Sequence, residues 1–319
     1  ALSILQDPVD PQLLFLGTEF GLYVSVDGGG GWTKFTAGVP TVSVMDMAIQ
    51  ERENDLVLGT HGRSLYVLDD YSALRGLDSG DFGQRLAILG TTPGQQYDAN
   101  PTPSTRFTGS GEFRAENEPY GVMITFMASG DDLPHPDDEQ ERKRKAGQPP
   151  APAADDGEKK IKDPKIELTI QDASGEVIRT QRFPVHQGIN RLVWDMRRDG
   201  VRPMPGPKPA ELEDGLPAGP EVPAGEYQAT LSLSMNDDDP VTSGQAVAVL
   251  ADPRSPFDAT AREANYRALL ELLQLQERAV TAVERIVHAQ SGISTALSLI
   301  EQQQKPGDEP DPRFKSLKE

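Results

Sequence analysis

Two nearly identical segments decide the fold of this chain. Residues 14–18 read LFLGT and residues 56–60 read LVLGT, about 42 positions later. A second echo follows each of them, because LYV occurs at 22–24 and again at 65–67. Short apolar runs that recur at this spacing, separated by turn residues, are typical of the four-stranded blades of a β-propeller. The sequence therefore predicts two consecutive blades near the N-terminus.

The boundaries of the blade strands follow from this repeat. A propeller closes with about four to eight blades, and two alone would leave apolar faces and sheet edges open. We therefore expect the missing blades to belong to a longer parent chain, of which this is the C-terminal part; completion by another chain is the alternative. The predicted blade region spans residues 1–95. Its first blade has strands at 12–17, 21–26, 32–36 and 42–50, and its second has strands at 55–60 and 64–69 with a closing strand at 85–90.

A glycine-rich turn lies inside the first repeat. Ser25, Asp27, Gly29 and Trp32 fit the pattern Ser-x-Asp-x-Gly-x-x-Trp. Asp27 can accept hydrogen bonds from turn amides, the glycines permit positive φ, and Trp32 can pack into the blade. These roles are structural. No Gly-Lys-Ser or Gly-Lys-Thr follows the glycines, so the sequence does not support a phosphate-binding loop.

A second β-rich region occupies residues 96–254. Apolar runs of strand length recur there with turn signals between them, and this pattern predicts an Ig- or fibronectin-like β-sandwich. Residues 131–165 are rich in Pro, Ala and charged residues, so we predict a disordered insertion within the sandwich. The predicted strands are 120–127, 165–171, 176–182, 189–195, 225–235 and 244–250.

A polar and aromatic cluster lies at the end of the run 189–195. We expect Trp194 to lie in the core of the sandwich rather than to form a platform for a sugar. Asn190, Arg191 and Asp195 are expected to set the geometry of the strand and its turn rather than to carry out chemistry.

The last predicted element is helical and covers residues 255–304. Thr260 and Glu263 form a capping-box pattern at its start. Gly292 either bends the helix or divides it into a helical hairpin, and residues 305–319 read as a linker or tail. We expect the apolar stripe to dock within the same chain, with another chain as the alternative. The stripe combines two series with seven-residue spacing, Leu272, Ala279, Ile286, Ile293 and Ile300, and Leu269, Gln276, Val283, Gln290 and Leu297.

Composition restricts the partners and cofactors. The formal net charge of −19 would repel nucleic acid and anionic membrane surfaces, so neither is an expected partner. No apolar run approaches the roughly 18 residues of a membrane span. There is no cysteine, which excludes disulfides, thiolate zinc sites and cysteine nucleophiles. The four histidines lack metal-ligand spacing, and we expect no metal and no cofactor.

His61 and Arg63 are the candidate ligand-binding residues. They lie in a loop between two blade strands, where propellers build ligand sites, and Arg63 could meet an anionic group. In the alternative, Thr60, His61 and Arg63 cap the turn and pair with Asp69 or Asp70. No catalytic residue is assigned, because Gly-x-Ser-x-Gly is absent and a glycosidase pair of carboxylates cannot be selected among 50 acidic residues.

These segments together resemble the C-terminal end of the bacterial sortilin-like BNR-repeat proteins, which are often labelled glycosyl hydrolases. Residues 25–32 resemble their Asp-box, and residues 96–254 resemble their Ig-like module of flagellar hook-capping type. Glu118 departs from the family at a position that is often Pro, and the cysteine-rich modules of animal sortilins are absent. The resemblance rests on residues 7–11, 16–22, 53–57, 59–64, 68–70, 117–121, 188–197 and 222–227.

The resemblance implies an exported protein, either extracellular or periplasmic. We expect this chain to be a non-catalytic scaffold or binding portion of a propeller that recognises a protein, peptide or glycan. In one alternative it is part of a sialidase-like glycoside hydrolase whose active site lies mostly in the missing blades. In another it is a structural assembly module that works through the sandwich and the helix.

Overall fold

The computed structural model describes residues 1–98, 111, 117–136, 164–206, 212–234 and 239–303. The prediction of a mainly β chain that ends in a long helix is confirmed. Most of the insertion predicted at 131–165 lies outside the described residues, as does the tail predicted at 305–319.

The first two sheets are antiparallel meanders. Each strand pairs with the one before it, so neighbouring strands are joined by short turns. The strand at the N-terminus was not among those predicted. The prediction that residues 42–50 belong to the first blade is wrong, because the N-terminal strand is the fourth strand of the first sheet and residues 44–50 pair with residues 55–60 in the second. The first meander consists of β1 (Ser3–Gln6), β2 (Leu14–Thr18), β3 (Gly21–Ser25) and β4 (Thr33–Phe35), and the second of β5 (Val44–Gln50), β6 (Asp55–Thr60) and β7 (Leu65–Leu68).

Equivalent residues of the two meanders differ in burial. Leu22 and Val24 of β3 are 0% and 1% exposed, and they share one core with Leu56 of the second meander. Leu65 and Val67, at the equivalent positions of β7, are 65% and 56% exposed. The face that is covered in the first meander is therefore open in the second.

A three-stranded sheet forms one layer of the sandwich and packs with its other face against the meanders. It contains β8 (Leu86–Thr92), β10 (Val122–Ala128) and β13 (Gly188–Trp194), with β10 in the centre. Leu86 of β8 packs into the sandwich core, whereas Ala87 and Leu89 pack into the core of the meanders. The prediction that residues 85–90 close the last blade is therefore wrong. The physical reason is that β8 has an apolar residue on both faces, which suits a strand covered on both sides.

The opposite sheet of the sandwich has five strands. Its order is β12-β11-β16-β17-β9, and the short β9 is the one strand of this sheet that pairs in parallel. As predicted, Trp194 is fully buried, and its Nε1 donates to the carbonyl of Arg197 at 2.9 Å. The strands are β9 (Gly94–Gln95), β11 (Lys165–Gln171), β12 (Val177–Pro184), β16 (Gly225–Leu233) and β17 (Val241–Leu250).

The helix α1 (Ala259–Gln303) is continuous through Gly292, so the helical-hairpin alternative is wrong. The capping box predicted at Thr260 and Glu263 is also wrong. Asp258 caps the helix instead, since its Oδ1 accepts from the amide of Ala261 at 2.8 Å. The helix begins one residue before Thr260, and the residue just outside the first turn takes the capping role.

The first half of α1 docks on a small two-stranded sheet of β14 (Arg197–Asp199) and β15 (Ala218–Glu221). Val280 is 4% exposed there, and Arg202 donates to Glu284 at 2.6 Å. Docking within the same chain is thus confirmed for this half. The prediction of docking is wrong for the seven-residue series that starts at Leu272. Its members Leu272, Ile286 and Ile293 are 50%, 58% and 46% exposed. These side chains lie on a different face of the helix from Val280.

Candidate functional site

The sequence-predicted candidates His61 and Arg63 lie on the hairpin between β6 and β7, and both side chains are exposed. The backbone amide of His61 donates to the carbonyl of Ser43 at 3.0 Å. Of the alternative role, the capping of the turn is observed for Thr60, whose hydroxyl donates to the carbonyl of Ser64 at 2.7 Å. Pairing with Asp69 or Asp70 is not observed among the described residues. A ligand-binding role for His61 and Arg63 stays a prediction.

The glycine-rich turn after β3 has the hydrogen bonds expected of Asp27. Its Oδ1 accepts from the amide of Gly31 at 2.9 Å and from the hydroxyl of Ser25 at 2.7 Å. Gly29 has a φ of +100° and donates to the Ser25 hydroxyl at 2.9 Å. Trp32 is half-buried and lies over Gly29. All four motif residues therefore stabilise the turn itself.

A polar cleft of about 480 Å³ lies between the second meander and the sandwich. We call it the junction cleft. The meander contributes the β5–β6 turn and the end of β7, and the sandwich contributes the end of β8, β9 and the segment before β10. Its lining residues are Arg52, Glu53, Asn54, Asp55, Asp70, Thr92, Pro93, Gln95, Tyr97, Asn117, Glu118, Pro119, Tyr120 and Gly121.

Arg191 of β13 joins the two parts of the molecule beneath the cleft. Its guanidinium donates to the backbone carbonyls of Asp69 and Asp70, which follow β7. It also lies over the ring of Phe35, 5.7 Å from the centroid. Burial lowers the pKa of Arg191 to about 10, against the opposing effect of the nearby carboxylates. As expected, Arg191 has a structural role. It fixes the backbone of Asp69 and Asp70, which lie in the meander part of the molecule and not in its own strand.

Asp55 and Asp70 form the floor of the cleft on the meander side. The Asp55 carboxylate accepts from the amide of Asp70 at 3.1 Å. The Asp70 carboxylate accepts from the amide of Ser72 at 2.9 Å and from the hydroxyl of Thr92 at 2.7 Å. Asp70 has a φ of +30°, a conformation that is uncommon for a residue with a side chain. These bonds hold the turn in place and fix the position of both carboxylates.

The cleft has an excess of negative charge. Partial burial raises the pKa of Glu118, and the repulsion of Asp69, Asp55, Asp70 and Glu53 raises it further. Burial and the charge of Asp55 likewise raise the pKa of Asp69, although Arg191 acts in the opposite direction. Glu118 lies at the solvent-exposed rim. A cation that binds here would be attracted by all of these groups and would bring both pKa values back down.

Two tyrosines form the wall on the sandwich side. The rings of Tyr97 and Tyr120 meet edge to face with centroids 4.9 Å apart. The Tyr120 hydroxyl donates to the Glu221 carboxylate, and burial together with this bond raises the pKa of Tyr120. The cleft therefore combines carboxylates, amides and aromatic rings. This chemistry suits a basic side chain, which can pair with carboxylates and stack on a ring.

The cleft could not be predicted from the sequence. Its two halves, residues 52–55 and 117–121, are far apart in the sequence, and no motif links them. Glu118 stood out only as a departure from the resembled family. Within the described ranges, no group of three or more His, Asp or Glu side chains is arranged to hold a metal ion. No helix in the part of the chain that the structure describes is long and apolar enough to cross a membrane.

No protein family and no curated protein matches the chain. A solved structure that does match is the extracellular domain of a hybrid two-component system from B. thetaiotaomicron, at 9% identity and a TM-score of 0.21. The match covers 79% of this chain and 26% of that one. Similarity at this level carries no argument about fold or function.

Proposed function

We propose that this chain is the non-catalytic binding portion of an exported sortilin-like BNR-repeat propeller, extracellular or periplasmic, and that the junction cleft takes a basic side chain of a peptide or protein ligand. The observation that carries the proposal is the charge of the cleft. Glu53, Asp55, Asp70 and Glu118 all line it, against one lining cation, Arg52, which pairs with Glu53 at 2.6 Å. The guanidinium of Arg191 behind them is already bonded to backbone carbonyls.

The open face of the second meander supports the propeller context. Leu65 and Val67 are exposed there, whereas their equivalents in the first meander are buried under a neighbouring sheet. Exposed apolar residues that repeat a buried pattern indicate an unpaired blade. Further blades of the parent chain are therefore the partners we propose for this face.

Binding of a blocked peptide Gly-Arg-Lys-Gly, followed by fluorescence anisotropy, tests the ligand assignment. The neutral peptide Gly-Gln-Gln-Gly is the comparison. We expect the basic peptide to bind more tightly, and Glu118→Gln to weaken its binding about 3–10-fold, because one partly exposed charge pair contributes about 1 kcal/mol. Glu19→Gln removes an exposed carboxylate at the β2–β3 turn and should leave binding unchanged.

Equal binding of the two peptides, or equal loss in the Glu118 and Glu19 variants, would refute the assignment. His61→Ala and Arg63→Ala belong in the same series. If they weaken binding and Glu118→Gln does not, the site moves from the cleft to the hairpin.

One observation favours the glycoside hydrolase alternative. Glu118 has a raised pKa and shares the cleft with other carboxylates, which is the arrangement of an acid and an ionised partner in glycosidases. We expect no turnover of sialosides or aryl glycosides by this chain. Turnover that survives repurification and is lost in Glu118→Gln would replace the binding proposal with this one.

A further inference from the structure

An exposed apolar seam runs along one face of α1. Its residues follow a strict alternation of three and four positions, the spacing of a coiled-coil contact face. The larger side chains Leu272, Leu275, Ile286 and Ile293 are 50%, 54%, 58% and 46% exposed. The alanines between them are also exposed. The seam consists of Leu272, Leu275, Ala279, Ala282, Ile286, Ala289, Ile293 and Ala296.

The seam is separate from the face that docks on the sandwich. Val280 and Glu284 belong to the docked face, and the seam lies beside it. From residue 285 to 299 every side chain is exposed except Leu297, which is half-buried. The second half of the helix therefore offers apolar surface along its whole described length. A seam of this kind is stable in water only when another helix covers it.

The first half of the seam opens into an apolar groove. Leu272 and Ala279 line a groove of about 690 Å³ between α1 and the segment that contains β14 and β15, together with Leu269, Leu273, Gln276 and Val280 of the helix. Met204 of that segment is 59% exposed. The groove continues the seam, so a helix laid along the seam would enter it.

We propose that a second copy of this chain covers the seam, so that two α1 helices pair antiparallel. Side-chain volumes favour this direction. In a parallel pair Ala282, Ala289 and Ala296 would each face their own copy and leave voids, which cost stability. In the antiparallel pair Ile286 faces Ala289 of the second copy and Ile293 faces Ala282, so each of these layers combines a large and a small residue, and only Ala279 and Ala296 bring two alanines together. The projecting second half of each helix then enters the groove of the other copy.

The charged residues beside the seam favour the same register of the antiparallel pair. The chain carries a net charge of −19, yet residues 272–296 contain two Glu and two Arg, which balance. When Ile286 packs against Ala289 of the second copy, the residues that flank the seam also meet across the pair. Arg285 then lies opposite Gly292 of the second copy, and Arg278 lies opposite Leu299. A shift of seven residues would set Arg285 against its own copy, and like charges at that position repel. The seam is thus the part of the chain where two acidic molecules can approach closely.

The size of the contact indicates a reversible dimer. Residues 272–300 form a strip about 43 Å long on a helix about 10 Å wide. This is roughly half of the area that a standard interface buries per partner. We therefore expect a dimer that forms in the range of about 1–100 µM rather than a permanent one.

Sedimentation velocity of the whole chain from about 5 to about 200 µM tests this proposal. The weight-average mass should rise from 34.6 kDa toward twice that value. Ile286→Glu and Ile293→Glu should each weaken association at least tenfold. Val287→Glu, at an exposed apolar residue beside the seam, is the matched control and should dimerise normally. A monomer at every concentration, or equal loss in the seam and control variants, overturns the proposal.

Cross-linking tests the direction of the pair. The chain has no cysteine, so single cysteines report without background. In the antiparallel register residue 276 lies opposite residue 297 of the second copy. A mixture of Gln276→Cys and Leu297→Cys chains should therefore form a mixed disulfide dimer, while neither variant alone should cross-link. Cross-linking of each variant with itself would show a parallel pair and overturn the arrangement.

Discussion

Replacing Asp7 by Asn should destabilise the two meanders strongly. The Asp7 side chain is 0% exposed and accepts five hydrogen bonds. Two come from Arg75 at 2.8 and 2.9 Å and one from the Tyr71 hydroxyl, both in the segment after the second meander. The carboxylate therefore ties the first meander to the end of the second.

The magnitude follows from what the substitution leaves behind. Asn cannot accept all five bonds, and its amide group would face N–H donors. Arg75, whose side chain is 20% exposed, would lose its counter-ion. Removal of one partner of a buried ion pair costs about 3–5 kcal/mol, and the partial exposure of Arg75 places the expected loss near the lower limit, about 3 kcal/mol.

Urea unfolding can assign this loss to the meanders, because the chain has two tryptophans. Trp32 reports on the first meander and Trp194 on the sandwich core. In a Trp32→Phe background the fluorescence comes from Trp194 alone, so the unfolding of the sandwich is measured separately. The Trp32 transition should move to lower urea in Asp7→Asn and stay in place in Glu51→Gln, which removes an exposed carboxylate from a turn of the second meander.

The same variant makes a prediction about pH. Burial alone would raise the pKa of Asp7, but the hydrogen bonds from Arg75, Tyr71 and the Asp10 amide outweigh it and hold the pKa below 3.8. A lowered pKa contributes stability above the unfolded value of 3.8, and this contribution is lost as the pH falls through the folded value. The gap between wild type and Asp7→Asn should therefore be constant at neutral pH and shrink below pH 3.8. A loss under about 1 kcal/mol, or a gap that persists in acid, would refute the reasoning.

Three further predictions concern the junction, the sandwich and the helix. Arg191→Met should cost about 3 kcal/mol in urea unfolding, because two backbone carbonyls lose their donor, and Arg191→Lys should not restore it since one ammonium lacks the fork of a guanidinium. Gly121→Ala should abolish the Trp194 unfolding transition, because a Cβ there would lie 2.1 Å from the Trp194 carbonyl at a φ of +148°. Asp258→Ala should lower the unfolding free energy by about 1 kcal/mol through loss of the N-cap bond to Ala261, visible as reduced helical circular dichroism at intermediate urea.

The repeat predicted the meanders well because blade strands are local. Each strand pairs with its neighbour in sequence, so the repeat at residues 14–18 and 56–60 locates the central strands of both sheets. It does not mark where one sheet ends, and residues 42–50 were therefore assigned to the first blade instead of the second. The strand at 86–92 was misassigned because its partner, β10, comes about 35 residues later. Alternation of apolar residues shows that a strand is buried, but it does not show which sheet buries it.

The helix shows a similar limit. The seven-residue spacing of Leu272, Ile286 and Ile293 is real, but it marks a face that this chain leaves exposed. The docked face, with Val280 and Glu284, contains charged residues that pair with Arg202 and so escaped a search for apolar periodicity. The junction cleft could not be predicted either, because its two halves meet only through tertiary packing.

Titration calorimetry with the peptide Gly-Arg-Lys-Gly tests the central claim most directly. The titration is run near pH 5 in two buffers that have different ionisation enthalpies. The difference between the two heats of binding gives the number of protons released. Because Glu118 has a pKa raised above 4.5, binding of a basic group should release protons from the wild-type chain, and fewer from Glu118→Gln. Saturable binding with that difference supports a basic-ligand site in the junction cleft. No binding, or the same proton release in both chains, contradicts it.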